Sequence, residues 1–195
     1  MLDKFREKIE EHIPIDDKHW QEIKEDCSVI NISKKETLVK YAEYSKDIYF
    51  IVSGSFEISQ TFTSGDFKTV WFFLDEMFNI MGCLDSIMLD EPTKYEITAI
   101  EDSTIIKFSH HSIESWTKKY PYINEFVKND VLNDLVILFE IRNHMASYTP
   151  IDFIKYLKEK YPIILTRIPD KNIAGLMGIT PEWYSKMQQK LNDLN

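Results

Sequence analysis

The sequence predicts an α+β protein in which a β-barrel or jelly roll is followed by a long helix and a helical C-terminal tail. Three observations predict it: β-branched and aromatic runs fill 29–108, an unbroken helical apolar pattern starts at Pro121, and helix-capping residues recur after 147. Period-two runs separated by turn residues are typical of short strands, and a 3.6-residue period is typical of helices. We therefore expect three regions, at 1–120, 121–147 and 148–195.

The first 26 residues have a helical period. Phe5, Ile9 and Ile13 recur at a four-residue step, and a second start at "PIDDKHWQEIKED" places Trp20 and Ile23 on one face. Residues four apart lie on the same side of a helix. Two short helices are therefore predicted, with these apolar side chains facing inward.

The strand-rich segment comprises "VINISKKETLVKY", "KDIYFIVSGSFEISQTF", "DFKTVWFFL" and "KYEITAIEDSTIIKF", separated by "SGS", "TSGD", "DEP" and "EDS". Phe56, Ile58 and Phe62 alternate with polar residues, as in a strand buried on one face. Regular short strands with hairpin-like turns predict a compact all-β barrel or jelly roll of about 80 residues.

A long helix follows. Ser112 is predicted to cap a short helix, and from Pro121 an apolar stripe continues to about Met145. A helix of about 24 residues is about 36 Å long, more than a barrel of this size can cover. We expect a homodimer through the helix at 121–145, because a symmetric copy is the commonest cover for such a face. A monomer whose helix packs wholly on its own barrel remains the alternative.

Composition restricts the class of protein. Hydrophobic residues make up 44% and charged residues 28%, which suits a soluble domain with a proper core. The longest apolar runs, "IYFIV", "VWFFL" and "LVILF", are far too short to cross a bilayer. The start, "MLDKFREKIEEHIP", lacks an apolar signal region, so a cytoplasmic protein without a membrane partner is expected.

Cysteine usage argues against metal clusters. Cys27 and Cys83 are far apart, and neither belongs to a C-x-x-C pair, so a structural zinc site or iron–sulfur cluster lacks ligands. No histidine stands out as an axial haem ligand. Two free buried thiols and no cofactor are predicted.

Charge is unevenly distributed. The whole chain carries −9, but from residue 160 onward five cations face three anions, a net charge of +2, which leaves −11 for residues 1–159. An acidic body with a mildly basic end indicates a localised nucleic-acid contact and excludes a surface that coats nucleic acid everywhere.

The tail contains a helix-turn-helix pattern. Ala174 allows close helix crossing, Gly178 permits a sharp reversal, and Thr180 caps a second helix that turns Tyr184 and Met187 inward. A generic helical hairpin is the alternative. The second helix keeps one face free, as a DNA-reading helix does. The candidate DNA-contacting residues are Lys171, Thr180, Glu182, Trp183, Lys186, Gln189 and Lys190.

Nearly the whole chain resembles the Crp/Fnr family of bacterial transcription regulators. The resemblance is carried by "YFIVSGSFEI" and by "RIPDKNIAGLMGITPEWYSKM", and it is closest to the short variety that stops after the recognition helix. It implies a cyclic-nucleotide-binding-like barrel, a dimerisation helix and a C-terminal winged helix that reads double-stranded DNA.

The recognition helix departs from the family pattern. The family usually has an arginine at the first helical position, then a glutamate, then a second arginine four residues later, whereas this chain has Pro181, Glu182 and Lys186. Glutamate can accept from a cytosine amino group, and lysine reaches guanine or phosphate without the two-pronged contact of arginine. Base reading is therefore expected to be altered or weakened.

The nucleotide cassette departs further. In the family it reads Phe-x-Gly-Glu and ends in Arg-(Ser/Thr)-Ala, but here Gly82 is followed by Cys83, and Thr93 with Lys94 replaces the arginine region. Losing both anchors removes contacts of about 1.5–3 kcal/mol each, so cAMP is not expected to bind. These four residues remain the candidate pocket for an unknown effector, and Cys83 is a redox sensor only if its thiolate is stabilised. A barrel filled by side chains is the alternative.

Enzymatic activity is not expected. Residues 29–108 contain no histidine, which excludes the histidine-ligated metal of enzymes with similar small barrels. G-x-S-x-G and phosphate-binding glycine loops are also absent. Two hypotheses remain: a dimeric DNA-binding regulator, and a non-DNA-binding signalling or interaction module with a Crp-like body, which Pro181 and the acidic charge favour.

Overall fold

Residues 1–61 and 67–192 are described by a computed structural model, in which helices enclose a strand-rich centre. Helices are α1 (Leu2–Glu10), α2 (Asp17–Glu25), α3 (Leu84–Met88), α4 (His110–Lys119), α5 (Pro121–Ser147), α6 (Pro150–Lys160), α7 (Pro162–Arg167), α8 (Asp170–Met177) and α9 (Pro181–Asn192). Strands are β1 (Ser28–Ile32), β2 (Thr37–Val39), β3 (Asp47–Ser53), β4 (Ser55–Thr61), β5 (Phe67–Leu74), β6 (Ile80–Gly82), β7 (Tyr95–Ala99) and β8 (Ser103–Ser109). Phe62 and the turn predicted at 63–66 lie outside the described residues.

The strands form two antiparallel four-stranded sheets. Their orders are β1-β8-β3-β6 and β2-β7-β4-β5, and we call them sheet A and sheet B. Across the residues the structure covers, no strand of one sheet pairs with a strand of the other. The β region is therefore a jelly-roll-like sandwich, and the closed barrel that the sequence also allowed is wrong.

Sheet A is apolar on both faces, as strand β3 shows. Tyr49 and Ile51 point into the core between the sheets, whereas Ile48, Phe50 and Val52 face the helices outside. Because side chains alternate along a strand, a continuous apolar run such as "IYFIV" is expected where both faces are covered.

The N-terminal helices cover the outer face of sheet A. Phe5 stacks on Phe108 with ring centroids 5.3 Å apart, and Trp20 meets the edge of the Phe5 ring at 6.2 Å. The predicted inward positions are confirmed, although Ile13 is only partly buried. The N-cap of α4 is Ser109 and not the predicted Ser112. The Ser109 hydroxyl accepts from the Ser112 amide at 3.0 Å.

The helical tail covers the outer face of sheet B. Phe72 and Leu74 of β5 share one hydrophobic cluster with Ile141 of α5, Leu157 of α6 and Leu176 of α8. The run "VWFFL" in β5 is therefore apolar throughout for the same reason as the run in β3: both faces of the strand are covered. The tail packs on the sandwich and has no separate core.

Helix α5 occupies the whole of the expected region 121–147. It has 27 residues, and its first half is anchored by buried Ile123 and Phe126. Its middle has a face of exposed apolar side chains, which we call the α5 stripe: Val131, Leu132, Leu135, Val136 and Phe139. The alternative in which α5 packs wholly on its own sandwich is therefore wrong.

The region after 147 is helical throughout its described part. Thr149 caps α6 as predicted, accepting from the Asp152 amide at 3.3 Å, whereas α7 had no counterpart in the prediction. Between 148 and 192 the structure contains helices but no strand, so the β wing of a winged helix is not shown. None of the described helices combines the length and apolar character needed to cross a membrane.

Candidate DNA-binding surface and effector cassette

The turn between α8 and α9 has the predicted glycine geometry. Gly178 has φ +68°, a left-handed conformation that suits glycine. Its amide donates to the Gly175 carbonyl at 3.1 Å, and the Ile179 amide donates to the Ala174 carbonyl at 3.0 Å. These bonds satisfy carbonyls at the end of α8 and reverse the chain sharply.

The start of α9 is capped by its own residues. The Thr180 hydroxyl accepts from the Trp183 amide at 3.2 Å, and Pro181 occupies the first position of the helix. A hydrogen bond from the backbone of Glu182 itself and one from Thr180 lower the pKa of the Glu182 carboxyl. Glu182 is thus an exposed anion at the electropositive helix end.

The two helices cross at small and buried residues. Ala174 and Tyr184 are fully buried, and Met187 is buried beside them, as the sequence predicts. The Tyr184 hydroxyl accepts from the Gln188 amide group at 3.1 Å, and burial raises the pKa of Tyr184 to about 12. The buried Tyr184 ring therefore packs α9 onto α8, and its hydrogen bond to Gln188 lies within α9.

One face of α9 is open to solvent. Glu182, Trp183, Lys186, Gln189 and Lys190 are all exposed, and the Trp183 side chain is 50% accessible. Lys171 and Thr180 are exposed as well. Within residues 1–61 and 67–192, no carboxylate lies within 4 Å of the Lys171, Lys186 or Lys190 ammonium. The predicted contact residues are thus available to an anionic partner.

Side chains of the protein itself occupy the effector cassette, which comprises Gly82, Cys83, Thr93 and Lys94. The Tyr95 hydroxyl accepts from the Leu84 amide at 3.1 Å and donates to the Gly82 carbonyl at 3.4 Å. Cys83 is fully buried, and burial raises the pKa of its thiol to about 11 despite hydrogen bonds from Thr93 and Tyr95. The thiolate is therefore disfavoured, and the condition for a redox-sensing Cys83 is not met.

The two other cassette residues, Thr93 and Lys94, differ in their exposure to solvent. Thr93 is buried and donates to the Tyr95 carbonyl at 3.2 Å. Lys94 is exposed, and its ammonium lies 2.8 Å from Glu91 and 4.0 Å from Asp85. The structure brings Cys83 and Thr93 together in the protein interior, leaves Gly82 half-buried beside them, and places Lys94 outside, already neutralised by carboxylates.

The space between the sheets is also occupied. It is packed with Ile32, Val39, Tyr49, Ile51, Phe56, Met81, Cys83, Ile97, Ala99 and Ile105. This arrangement matches the side-chain-filled alternative. Cys27 is half-buried, and both cysteines are free. In the described part of the chain, no group of three or more metal-ligating side chains occurs.

The β region matches a known domain family. Residues 29–120 match the cyclic nucleotide-binding domain. No curated protein is recognisably similar to the chain in sequence.

Solved structures of bacterial regulators share the fold. CLP, the c-di-GMP-responsive global regulator of Xanthomonas campestris, is 12% identical with a TM-score of 0.70, over 91% of this chain and 92% of CLP. FixK2 of Bradyrhizobium japonicum is 13% identical with a TM-score of 0.69, over 86% and 85%. A CooA mutant of Carboxydothermus hydrogenoformans is 14% identical with a TM-score of 0.65, over 87% and 78%. The likeness therefore extends beyond the sandwich into the helical regions.

Proposed function

We propose that the chain is a non-enzymatic, dimeric transcription regulator of the Crp/Fnr type that binds double-stranded DNA through α8 and α9. The observation that carries the proposal is the open face of α9. Its inner side is packed through Tyr184 and Met187, whereas Lys186 and Lys190 are exposed. The shared fold with CLP and FixK2 supports the same reading.

The residues of α9 suit the major groove. Lys186 and Lys190 reach phosphates or guanine, and the ionised Glu182 accepts from a cytosine amino group. Lys171 at the start of α8 is placed for a backbone phosphate. Three lysines in each copy give six for a dimer, so the logarithm of the binding constant should fall with the logarithm of salt with a slope of about −5.

The α5 stripe supports a homodimer. Val136 and Phe139 are 67% and 60% exposed although both are strongly apolar. Each large apolar side chain contributes about 1.5–3 kcal/mol when it is fully buried. A second copy with the same stripe covers both faces at once, and a dimer carries the two reader helices that a two-fold operator requires.

The cassette residues argue against cAMP as an effector. The amide of Leu84 is already bonded to Tyr95, and a phosphate near Lys94 would meet the carboxylates of Asp85 and Glu91. An effector of other chemistry remains a prediction, and so does the cytoplasmic location.

The test is a salt-dependent binding assay with genomic DNA fragments, measured by fluorescence anisotropy. Lys186→Glu should weaken binding by tenfold or more, since it replaces a phosphate-facing cation by an anion. Lys118→Glu makes the same charge change at an exposed position on α4 and should leave binding within about twofold, because net charge alone acts weakly at physiological salt.

The second candidate is a non-DNA-binding interaction module. Pro181 at the first position of α9 and the net charge of −9 favour it. An intact dimer that binds no DNA fragment even at low salt would support this module and contradict the regulator.

A further inference from the structure

Helices α8 and α9 form the proposed DNA-reading unit, which we call the reader. Its first helix, α8, packs on the sandwich. Strand β5 is the edge of sheet B, and its outward Phe72 and Leu74 are buried by the tail. Gly175 of α8 lies directly over this strand. A Cβ built on it would be 3.4 Å from both Cβ and Oγ1 of Thr69, so α8 and β5 are in backbone-close contact.

A buried polar clamp gives this contact one orientation. The side-chain amide of buried Asn172 donates to Glu57 Oε2 on β4 and, at 3.3 Å, to Thr69 Oγ1 on β5. The Thr69 hydroxyl in turn donates to Glu57 Oε2 at 2.8 Å. A buried amide without partners is costly, so the clamp rejects seatings in which α8 slides or rotates on the sheet.

A second clamp holds the segment before α8. The Arg167 guanidinium donates to Glu101 Oε1 at 2.6 Å and lies 3.1 Å from Asp75 Oδ1 and 3.4 Å from Glu76 Oε1. Glu101 also accepts from the Ser55 hydroxyl at 2.7 Å. These carboxylates lie in the turns that follow β5 and β7, so the tail contacts the sandwich both before α8, at Arg167, and near the start of α8, at Asn172.

The packing of α8 on sheet B, which we call the seat, fixes the direction of the reader. Helix α9 is locked to α8 through Ala174 and Tyr184, and α8 is locked to sheet B. In this seated arrangement Lys186 and Lys190 remain exposed. The seat therefore presents the reading face without covering it.

We propose that strands β4 and β5, together with the turns that follow β5 and β7, are the positioning element of the reader, with Asn172 and Arg167 as positioning residues that hold α9 ready for DNA without a bound effector. This inference rests on the proposed DNA-binding function. A reader held in one orientation loses less conformational freedom on binding than a reader on a flexible linker.

A donor–acceptor exchange tests the clamp. Asn172→Asp sets two carboxylates against each other, and it should weaken DNA binding about tenfold, or about 1.4 kcal/mol. Adding Glu57→Gln restores one donor and one carboxylate in reversed positions, so the double variant should return to within about twofold of wild type. Gln21→Glu, the same amide-to-carboxyl change at an exposed position on α2, is the control and should bind like wild type.

Hydrogen exchange separates the seat from DNA binding. Asn172→Asp should lower amide protection in α8 and α9 and leave the sandwich strands unchanged, and the double variant should restore protection. If wild type binds no DNA, the proposed function fails, while this measurement still decides the seat. Unchanged protection in Asn172→Asp, loss of protection throughout the sandwich, or no recovery in the double variant would overturn the seat.

Effector independence has its own measurement. Wild-type protein unfolded in urea, dialysed and refolded without small molecules should bind DNA as tightly as the untreated protein. Binding that returns only after a small-molecule extract of the host is added would overturn this part of the inference.

Discussion

The outer face of β5 and the α5 stripe are both apolar, yet the chain covers only the first. Phe72 and Leu74 are buried beneath α8 and its neighbours, whereas Leu135 and Phe139 of α5 face solvent. The difference lies in their polar surroundings. The β5 face is bordered by Glu57 and Thr69, which specify one partner, and the stripe consists of neighbouring apolar side chains.

This comparison indicates how each surface is used. A face with a buried polar clamp accepts one segment in one orientation, as the tail does on β5. A bare apolar stripe on a helix suits a symmetric copy of itself, because the same apolar patch of each copy then covers the other. The first surface positions the reader, and the second is expected to pair two readers.

The largest expected effect is on the open stripe. Leu135→Glu removes one apolar side chain from each copy and sets two like charges near each other, so lost burial alone should cost the dimer about 3–6 kcal/mol. Sedimentation velocity should show monomers at concentrations where wild type is dimeric. Ser115→Glu at an exposed position on α4 should keep the dimer. A monomeric wild type would refute the pairing role of the stripe.

A slightly smaller effect is expected at the covered face. Phe72→Ala leaves a cavity between sandwich and tail and should lower the free energy of unfolding by about 3–5 kcal/mol. Urea unfolding followed by circular dichroism measures this change. Tyr41→Ala, at an exposed site, should change it by less than about 0.5 kcal/mol. Equal stability of Phe72→Ala and wild type would mean that the tail does not depend on β5.

The smallest effect concerns a carboxyl beside the stripe. Burial, and then the nearby Asp130 carboxylate, raise the pKa of Asp134 to about 7, with Lys8 opposing the shift. The folded state thus binds the proton more tightly than the unfolded state, so the contribution of Asp134 to stability is lost as pH rises from about 4 to 7.

Asp134→Asn removes this loss. The variant should be more stable than wild type by about 1–2 kcal/mol at pH 8, after allowance for solvent screening, and by only about a third of that amount at pH 5. Thermal unfolding of both proteins at the two pH values measures the difference. Glu125→Gln, which removes an exposed carboxyl from the same helix, is the matched control. A stabilisation of equal size at both pH values would show that the carboxyl is not desolvated.

Much of the fold could be predicted from local patterns. Period-two runs located the strands, the stripe located α5, and Thr149 with Gly178 located helix ends, because capping and turn geometry depend on neighbouring residues. Helix α7 was missed, since "PIILTR" is too short to show a period. Local patterns also left open whether the sheets close into a barrel, which depends on pairing between distant strands.

The candidate DNA-binding face of α9 was predicted more fully than the contacts that hold α8 on sheet B. The exposed face of α9 follows from helical spacing around Tyr184 and Met187. The clamp of Glu57, Thr69 and Asn172 was missed, because each is an ordinary polar residue in its own segment. The signal that could have found it is "VWFFL", since an edge strand that is apolar on both faces needs a cover.

The sequence by itself determined the order of most elements, the turn at Gly178 and the apolar stripe. Each of these depends on residue type and spacing within a few turns or strands. Only the tertiary structure decided that α8 packs on β5, that Tyr95 bonds to Gly82 and Leu84 and that Asp134 is half-buried near Asp130. Those outcomes depend on side chains brought together from distant parts of the chain, and local periodicity carries no information about such contacts.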